Sequence, residues 1–483
     1  MSEQRVNFGS KLGMVLATAG SAVGLGNVWR FPYMAGQNGG ATFIIIYIVC
    51  VLLLGLPCIL GEFIIGRHGA ANTARAYSRI SGGSPWRFVG YMGVLTGFLI
   101  TGYYAVVSGW CLQYIFASFM GELNGDPAYI SRYFADFSSS PLRPVLWTVA
   151  ILAATHFIII RGVRQGIERA SKAMMPTLFI LLLIVVVSSC MLPGASKGVE
   201  FLFRPDFSKM NGSMLLAAMG QSFYSLSIGM GCLCTFASYF SRQTNLVRSA
   251  ANIIAIDTFI AILAGLMIFP AAFSVGINPD SGPSLIFITL PNVFQQAFAS
   301  MPLIGTLVAV LFYILLSLAA LTSLISLHEV STAFLSEEFR MPRPRAALVI
   351  TVVCSVIGAF CSLSIGGRDW LVVCGKSLFD VFDFVTPYPD FDIKMLNQYL
   401  LQTILCSKVD IALHLFVGST MSAIRLALSV VGYAKANRRQ VVGIAPGLGA
   451  NNHVPPYATI LCRVNPRSIL NLARLVEVQS QLA

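Results

Sequence analysis

Long apolar stretches constrain this chain more than any other feature of its sequence. A helix needs roughly 20 mostly apolar residues to cross the hydrocarbon core of a lipid bilayer. Nine stretches of about that length, here called spans 1 to 9, lie near residues 12–35, 41–66, 88–119, 144–160, 173–192, 213–240, 249–276, 301–335 and 345–365, and span 10 begins near Leu378. The pattern predicts an all-α polytopic membrane protein.

The composition agrees with that class. Of the 483 residues, 56% are hydrophobic and 11% are charged, whereas soluble domains carry about 25% charged residues. This difference excludes a disordered protein, a basic nucleic-acid-binding domain and almost every water-soluble enzyme. Most of the 11 cysteines lie inside apolar stretches, without the spacing of a disulfide or zinc framework. We expect them to be small buried hydrophobic residues.

Positive charge alternates along the loops. Basic residues follow spans 2, 4, 6 and 8, whereas mixed or acidic loops follow the odd-numbered spans. Because Lys and Arg accumulate in cytoplasmic loops, we expect the even loops and the N-terminus to be cytoplasmic, in a multi-pass protein of the cell (inner) membrane. The basic residues concerned are Arg67, Arg75, Arg79, Arg87, Arg161, Arg164, Arg169, Lys172, Arg242, Arg248, Arg340, Arg343 and Arg345.

Glycine interrupts span 1 at residues 20–27 and span 6 at residues 225–231. The two breaks lie five spans apart, so they occupy matching places in two five-helix halves of opposite orientation. Paired broken helices in inverted repeats indicate the binding site of a secondary transporter. Either cluster alone is better explained by helix packing, since Gly20-x-x-x-Gly24 is also a helix-contact motif. The matched pair, with polar side chains beside it, favours a binding site.

The physics of a broken helix limits what such a site binds. Freed N–H and C=O groups survive in a membrane only where they line a polar cavity or bind a ligand. Helix N-termini suit a carboxylate, and freed carbonyls suit Na⁺ or an ammonium group. The arrangement is compatible with an amino acid carried together with sodium, although it does not single out that pair.

The segment from Asn7 to Pro32 resembles helix 1 of the neurotransmitter:sodium symporter family, in the prokaryotic amino-acid transporter branch that includes the bacterial leucine transporter. Further matching motifs are Asn38–Gly40, Gly61-Glu62, Arg161-Gly162, Gly166–Arg169, Pro176, Gly220-Gln221 and Ala319–Ser323. The resemblance covers about residues 5–386. It implies an inverted five-helix repeat with broken helices 1 and 6, and sodium-coupled uptake of an amino acid across a lipid bilayer.

The resemblance also implies two sodium sites and no organic cofactor. The first site would be formed by Ala22, Asn27, Ser225 and Asp257, together with the substrate carboxylate. The second would be formed by Gly20, Val23, Ala319, Thr322 and Ser323. Both offer only oxygen ligands, as a hard cation requires. Taken alone, the hydroxyls of Thr322 and Ser323 in the second set would indicate only hydrogen bonds between helices.

Asp257 bears on the anion requirement. Chloride-dependent relatives bind an anion near the positions that match Tyr47, Gln221 and Ser225, whereas chloride-independent relatives place an acidic side chain there. A carboxylate inside a membrane is costly and is a functional candidate by default, so we expect chloride independence. A carboxylate that only stabilises helix packing is the alternative, and proton counter-transport through Asp257 stays open.

Gly24 bears on the substrate. Relatives that carry biogenic amines have an aspartate at this place, so we expect a substrate that brings its own carboxylate. The resemblance assigns the carboxylate to the N–H groups of Leu25 and Gly26 and the Tyr104 hydroxyl. It assigns the ammonium group to carbonyls of Ala22, Tyr224 and Ser225 and the hydroxyl of Ser227. The remaining pocket, which suits a hydrophobic or aromatic side chain, would consist of Ile100, Tyr224, Met230, Ser326 and Leu327.

Two gates follow from the same resemblance. Arg30 and Asp383, near Gln221, would close the extracellular side above Tyr104 and Tyr224. Arg5 and Glu337 would close the cytoplasmic side beside Phe8, Ser238 and Tyr239, where Phe8 replaces the usual tryptophan. By itself, the Arg5–Glu337 pair would read as a surface ion pair worth about 0–1 kcal/mol.

Two further roles concern helix 5 and the break in span 6. Gly166 and Pro176 bound a stretch of helix 5 that we expect to unwind, so that water reaches the second sodium. Proline alone would indicate only a kink. We expect Glu62 to accept hydrogen bonds from N–H groups that are freed at the break in span 6.

Motifs for other activities are incomplete. The segment His328–Thr332 lacks the second histidine of a zinc-protease helix, and no phosphate-binding loop is present. We therefore expect neither an enzyme nor ATP-driven transport, and no nucleic-acid partner.

After Thr386 the resemblance stops. Residues 387–394 contain two prolines and three charged residues, which is a poor start for a membrane span. We therefore divide the chain into a transport core, 1–386, and a divergent segment, 387–483, with helices 10–12 atypical or missing. A reading-frame change or gene fusion explains the abrupt boundary, and a genuine divergent tail is the alternative. If the last helices are lost, the product would bind without transporting.

The frame-change hypothesis predicts that another frame of the gene encodes family-like helices 10–12 downstream of codon 386. Sequencing the gene and translating all frames tests this. Absence of such helices from every frame would contradict the hypothesis.

Overall fold

The structure, a computed structural model, describes residues 7–82, 84–276, 285–365, 371–373 and 376–385. Almost all of its regular structure is helical. In the first half, the helices are α1 Lys11–Ala22, α2 Phe31–Gln37, α3 Ala41–Cys50, α4 Leu56–Gly69, α5 Thr73–Ile80, α6 Arg87–Phe119, α7 Pro127–Ser139, α8 Arg143–Ile159 and α9 Arg169–Cys190. Irregular π-helical segments join several of these, at Gly26–Arg30, Val51–Gly55 and Val163–Glu168.

The second half repeats this organisation. Its helices are α10 Ala195–Phe203, α11 Gly212–Ser225, α12 Cys232–Ala237, α13 Leu246–Ser274, α14 Leu290–Ala297, α15 Pro302–Glu338, α16 Arg343–Ile365 and α17 Leu378–Val385, with a 3₁₀ turn at Phe207–Lys209 and a π-helical segment at Leu285–Thr289. Strands β1 (Val372–Val373) and β2 (Lys376–Ser377) form a short antiparallel hairpin, in which Val372 pairs with Ser377.

Local sequence explains where many helices begin. Asn72, Asp126, Asn211 and Asn245 each accept a hydrogen bond, at 2.7–3.1 Å, from the backbone N–H three residues later. These side chains satisfy donors that the first helical turn leaves free. The first helix begins in the same way at Ser10, whose Oγ accepts from the Gly13 N–H at 3.0 Å.

The predicted all-α membrane fold is confirmed. Within the described residues, six stretches are long and apolar enough to cross a membrane, and two bent helix pairs also pass as single spans. One bent pair is α1 with Gly26–Gln37, at 52°. Span 6 is divided into the two short helices α11 and α12. The segment that was expected to hold the rest of span 10 and helices 11 and 12 lies outside the described residues.

Helix α7 was not anticipated from the sequence. It occupies the acidic loop after span 3, and it meets α8 at a bend of 71°. The helix has only 13 residues and few buried ones, such as Ile130 and Phe137, so its apolar signal is too weak to predict it from the sequence.

The helices pack in two groups. Helices α6, α8, α15 and α16 pack closely against one another. The broken span 1 packs with α13, while α3 contacts α11 and α4 contacts α12. Outward-facing apolar residues, such as Leu348, Val352 and Val356 on α16, are about half exposed. Exposed apolar residues one helical turn apart are expected on a surface that lipid covers.

Candidate functional site

Two helix breaks lie opposite each other at the centre of the helix bundle. Helix α1 ends at Ala22, and α11 ends at Ser225, seven residues before α12 begins. The second break turns sharply, with positive φ at Ser227 (54°), Gly229 (84°) and Gly231 (75°). The Ser227 hydroxyl donates to the Ser21 carbonyl at 2.9 Å, so a side chain of one break satisfies a backbone group beside the other.

Glu62 supports the second break, as predicted from the sequence. Its carboxylate accepts a hydrogen bond from the backbone N–H of Gly229 at 2.7 Å, and the side chain is buried. Because hydrocarbon offers no partner to a freed N–H group, this contact stabilises the unwound backbone.

The polar residues predicted for the first sodium site lie together. The Asn27 amide donates to Asp257 Oδ1 at 2.7 Å and to Ser225 Oγ at 3.1 Å. Ser225 donates to Asp257 Oδ2 at 2.8 Å, and Tyr47 Oη lies 3.3 Å from both residues. These four side chains are at most 1% exposed. Ala22 is also buried, at the end of α1. The cluster therefore contains the oxygen-rich, negatively charged environment that a hard cation needs.

The second predicted set also comes together. Thr322 Oγ1 lies 3.2 Å from the Val23 carbonyl and 2.9 Å from the Ala319 carbonyl, and Ser323 Oγ lies 3.5 Å from the Val23 carbonyl. A Cβ atom on Gly20 would lie 3.5 Å from Thr322 Cβ, so Gly20 faces the same group. Two carbonyls and two hydroxyls, from the break in span 1 and from α15, thus converge beside Gly20.

A cradle for an anion lies between these two clusters. The backbone N–H of Leu25 and the hydroxyl of Tyr104 are within hydrogen-bond distance, at 3.1 Å. A Cβ atom on Gly24 would come within 2.3 Å of Ser323 Oγ and 3.1 Å of Tyr104 Oη. A Cβ atom on Gly26 would lie 2.9 Å from the Tyr224 ring. Only glycine therefore fits at position 24 without displacing its neighbours.

Of the five predicted pocket residues, four are buried and Tyr224 is half-buried. Ile100, Met230 and Leu327 belong to the same hydrophobic core as Tyr104, and Tyr224 packs against that core. Ser326, also buried, donates to the Ser323 carbonyl at 2.8 Å. The Ser227 hydroxyl, expected to meet the ammonium group, is engaged with Ser21.

The residues of the predicted extracellular gate are also neighbours. Arg30 stacks over the Tyr224 ring, with 4.7 Å from Cζ to the ring centroid, and it donates to Gln221 Oε1 at 3.4 Å. Gln221 in turn donates to the Gly26 carbonyl at 3.0 Å. Asp383, on α17, interacts electrostatically with Arg30 and hydrogen-bonds Tyr103.

The predicted cytoplasmic gate is described in part. Arg5 lies outside the described residues. Glu337 accepts hydrogen bonds from the backbone and side-chain N–H groups of Asn72, at 2.7 and 3.1 Å. The Phe8 ring packs edge-on against Phe236 and Tyr239, with 6.1 Å between centroids in both cases. Ser238, next to Tyr239, donates to the carbonyl of Thr235.

Helix 5, which consists of the π-helical segment Val163–Glu168 and α9, is irregular only at the first edge of the stretch where unwinding was expected, since residues 169–176 lie in the regular α-helix. Gly162 has a φ of 80°, and the π-helical segment Val163–Glu168 follows it. A Cβ atom on Gly166 would lie 2.0 Å from the Ile158 carbonyl, so this turn requires glycine. Pro176 lies inside α9. Irregular π turns often occur at functional sites.

Sequence reasoning missed one charged group beside the cytoplasmic gate residues. Glu329, fully buried on α15, receives two hydrogen bonds from Arg343, at 3.0 and 2.5 Å, and a third from the Tyr239 hydroxyl at 2.7 Å. Arg343 also donates to the Ile159 carbonyl at 3.0 Å. The sequence signal is present, because Glu329 is an acidic residue inside an apolar span, but the sequence does not indicate that Arg343 and Tyr239 are its partners.

The comparisons with known proteins agree with this geometry. The sequence model of the protein family described as "Sodium:neurotransmitter symporter family" matches residues 5–135 and 137–390 of this chain. The chain belongs to this family. It is therefore a sodium-dependent, multi-pass membrane transporter and not an enzyme.

Relatives extend across bacteria and animals. The chain is 40% identical over 387 residues to the uncharacterized sodium-dependent transporter YhdH of Bacillus subtilis (strain 168), covering 80% of this chain and 84% of the relative. It is 27% identical over 439 residues to the sodium- and chloride-dependent taurine transporter of Rattus norvegicus, covering 79% and 68%. The crystal structure of MhsT in complex with L-phenylalanine matches 97% of this chain and 99% of that chain, with 35% identity and a TM-score of 0.73.

The Glu329 group gives a stability prediction. Substituting Arg343→Met leaves a fully buried carboxylate without its cation, which typically destabilises a protein by roughly 3 kcal/mol. We expect a lower midpoint of thermal unfolding in detergent, and partial recovery in the double variant Arg343→Met, Glu329→Gln. Arg345→Met, which alters an exposed arginine two residues away, is the control. Equal midpoints for the two arginine variants would contradict the assignment.

Proposed function

We propose that this transporter is a symporter that uses an inward sodium gradient to import an amino acid with a hydrophobic or aromatic side chain. The observation that carries the proposal is the pair of opposed helix breaks, with an N–H and hydroxyl cradle lying between two oxygen clusters. Helix N-termini recognise carboxylates, and unwound carbonyls coordinate cations, in inverted-repeat transporters.

The cradle supports an α-amino acid over an amine. Position 24 has no room even for a methyl group, because Ser323 and Tyr104 lie against it. An aspartate there, which amine carriers use as a built-in carboxylate, would not fit this arrangement. The carboxylate therefore comes with the substrate, facing Leu25, Gly26 and Tyr104, while the carbonyls of Ala22, Tyr224 and Ser225 receive the ammonium group.

The apolar lining supports a hydrophobic or aromatic side chain. Ile100, Met230 and Leu327 contribute no charge, and methionine adapts to irregular shapes. The structure of MhsT with L-phenylalanine supports the same substrate class, because the two chains are alike along nearly their whole lengths.

Both sodium clusters serve transport in this proposal. The first would bind Na⁺ between Asn27, Asp257 and Ser225, beside the substrate carboxylate. The second would bind Na⁺ between the carbonyls of Gly20, Val23 and Ala319 and the hydroxyls of Thr322 and Ser323. Asp257 carries a fixed negative charge among Asn27, Ser225 and Tyr47, which makes an added anion unnecessary. We therefore propose chloride-independent transport.

Alternating access completes the mechanism. The N-terminus would face the cytoplasm, so that Arg30 and Asp383 form the outer gate and the Phe8, Tyr239 and Glu337 region forms the inner one. Every proposed ligand lies within residues 1–386, which we propose as the transport core.

Uptake into proteoliposomes tests the proposal. A labelled amino-acid mixture is offered with an inward Na⁺ gradient, with K⁺ in place of Na⁺, and with gluconate in place of chloride. We expect accumulation that requires Na⁺ and is indifferent to chloride, with leucine-, phenylalanine- or tryptophan-like substrates preferred. Sodium-dependent binding without accumulation would contradict symport and support a non-transporting product.

A second prediction concerns Asp257. Asp257→Asn keeps the size of the side chain but removes its charge beside the first sodium and replaces one acceptor oxygen with an amide donor. We expect uptake in gluconate to fall by about tenfold, as for the loss of one charged contact, and chloride to restore part of it. Asp136→Asn, on the exposed face of α7, is the matched control. Unchanged uptake in gluconate for Asp257→Asn would rule out the charge role.

A further inference from the structure

A buried carboxylate joins the beginning of α1 to the π-helical segment Val163–Glu168 at the start of helix 5. Glu168 is the last residue of the π-helical segment Val163–Glu168, and its side chain is 4% exposed. Its Oε2 accepts the backbone N–H of Gly9 at 2.6 Å, and its Oε1 accepts the Ser10 hydroxyl at 2.9 Å. Lys172, one turn later on α9, supplies the cation at 2.7 Å.

These bonds form one connected group at the start of α1. The Gly13 N–H donates to Ser10 Oγ at 3.0 Å, and Ser10 donates onward to Glu168. The carboxylate thus extends the N-cap of α1 and also lies at the positive end of its helix dipole. Arg164, in the same π-helical segment, donates to the Asn7 carbonyl at 2.6 Å.

The approach of Glu168 to α1 is close. A Cβ atom on Gly13 would lie 2.2 Å from Glu168 Oε1 and 2.4 Å from its Cγ. Because even a methyl group at position 13 would displace the carboxylate, this contact depends on glycine. The packing is therefore specific to Glu168 and not a general contact between two apolar helices.

The location of the contact gives it a further consequence. Helix α1 carries Gly20, and the Val23 carbonyl follows its end; both belong to the second predicted sodium set, about three helical turns from Ser10. Gly162 and Gly166 lie at the irregular start of helix 5, on the other side of the contact. One carboxylate therefore connects the helix that contributes to the proposed second sodium site to the irregular start of helix 5.

We propose that Glu168 is a positioning residue that latches α1 against helix 5 and so holds the second sodium site closed, and that release of this latch accompanies loss of that sodium. The inference rests on the proposed sodium-coupled function. The latch is charge-assisted, because a carboxylate with three donors is held more strongly than a neutral acceptor. Neutralising Glu168 shifts the equilibrium of α1 toward its released position.

Hydrogen–deuterium exchange of the peptide covering residues 7–22 tests the latch, measured on the full chain in detergent with Na⁺ and with K⁺. In the wild type we expect Na⁺ to slow exchange. In Glu168→Gln we expect the exchange rate in Na⁺ to rise toward the wild-type rate in K⁺. The expected increase is about tenfold, the factor for one lost charge-assisted hydrogen bond. The apparent Kd for Na⁺ should rise by a similar factor.

Three variants separate a latch from a purely structural role. Gly13→Ala alters no charge but displaces the same carboxylate, so it should raise the Kd for Na⁺ as Glu168→Gln does. The double variant should not be additive, since both changes break one contact. Lys172→Met removes only the cation and should have a smaller effect. Glu200→Gln, which neutralises an exposed i,i+4 partner of Arg204 on α10, should leave exchange and the Kd for Na⁺ unchanged.

Several outcomes would contradict the proposal that Glu168 acts as a latch. Exchange of residues 7–22 that stays at the wild-type rate in Glu168→Gln would do so, as would a lower unfolding midpoint with an unchanged Kd for Na⁺. If Glu168→Gln does not fold, a wild-type Kd for Na⁺ in Gly13→Ala overturns it equally. Failure of the proposed sodium-coupled function gives a different result. In that case Na⁺ would not change the exchange rate of the wild type, whereas faster exchange in Glu168→Gln and Gly13→Ala would still support the contact between Glu168 and α1.

Discussion

Every polar backbone group inside a lipid bilayer needs a partner within the protein, and two helices of this transporter leave such groups free. The organisation of the centre follows from that constraint. Glu62 receives the N–H of Gly229, Ser227 donates to Ser21, and Gln221 donates to the Gly26 carbonyl. These side chains stabilise the breaks from outside. The proposed site is formed by the remaining backbone of the two breaks, where the Leu25 N–H meets the Tyr104 hydroxyl and the Val23 carbonyl meets the hydroxyl of Thr322.

Buried charge follows the same rule. Three carboxylates in the described chain, on Glu168, Asp257 and Glu329, each receive at least three hydrogen bonds, at least one of them from an element distant in sequence. Glu168 and Glu329 also have a basic partner, in Lys172 and Arg343. Asp257 has neutral donors, and this difference fits a group whose partner is a transported cation. The carboxylates with basic partners lie where helices are held together, whereas Asp257 and Glu62, whose described donors are neutral, lie at the candidate site.

Much of this site was accessible from the sequence. The spans were visible because a helix that crosses lipid must be apolar over roughly 20 residues, and the breaks because glycine and polar residues interrupt that pattern. The family resemblance then supplied ligand sets, and the structure brings Asn27, Ser225 and Asp257 within 3.2 Å of one another. Helix α7 escaped detection because it is short and only weakly apolar overall, so it does not resemble a membrane span. Glu329 was visible as a charge but not as a partner of Arg343 and Tyr239.

The sequence by itself determined the membrane class, the order of the described spans, the two breaks and the chemistry of the residues beside them. These properties are local, since apolar length, glycine and side-chain oxygen can each be recognised within one segment. Only the tertiary structure decided which groups meet. The Gly9–Glu168 bond joins residues 159 positions apart, and Tyr239 reaches Glu329 across 90 positions. No local pattern encodes such a pairing, because it depends on how separate helices pack and how closely residues such as Gly13 let them approach.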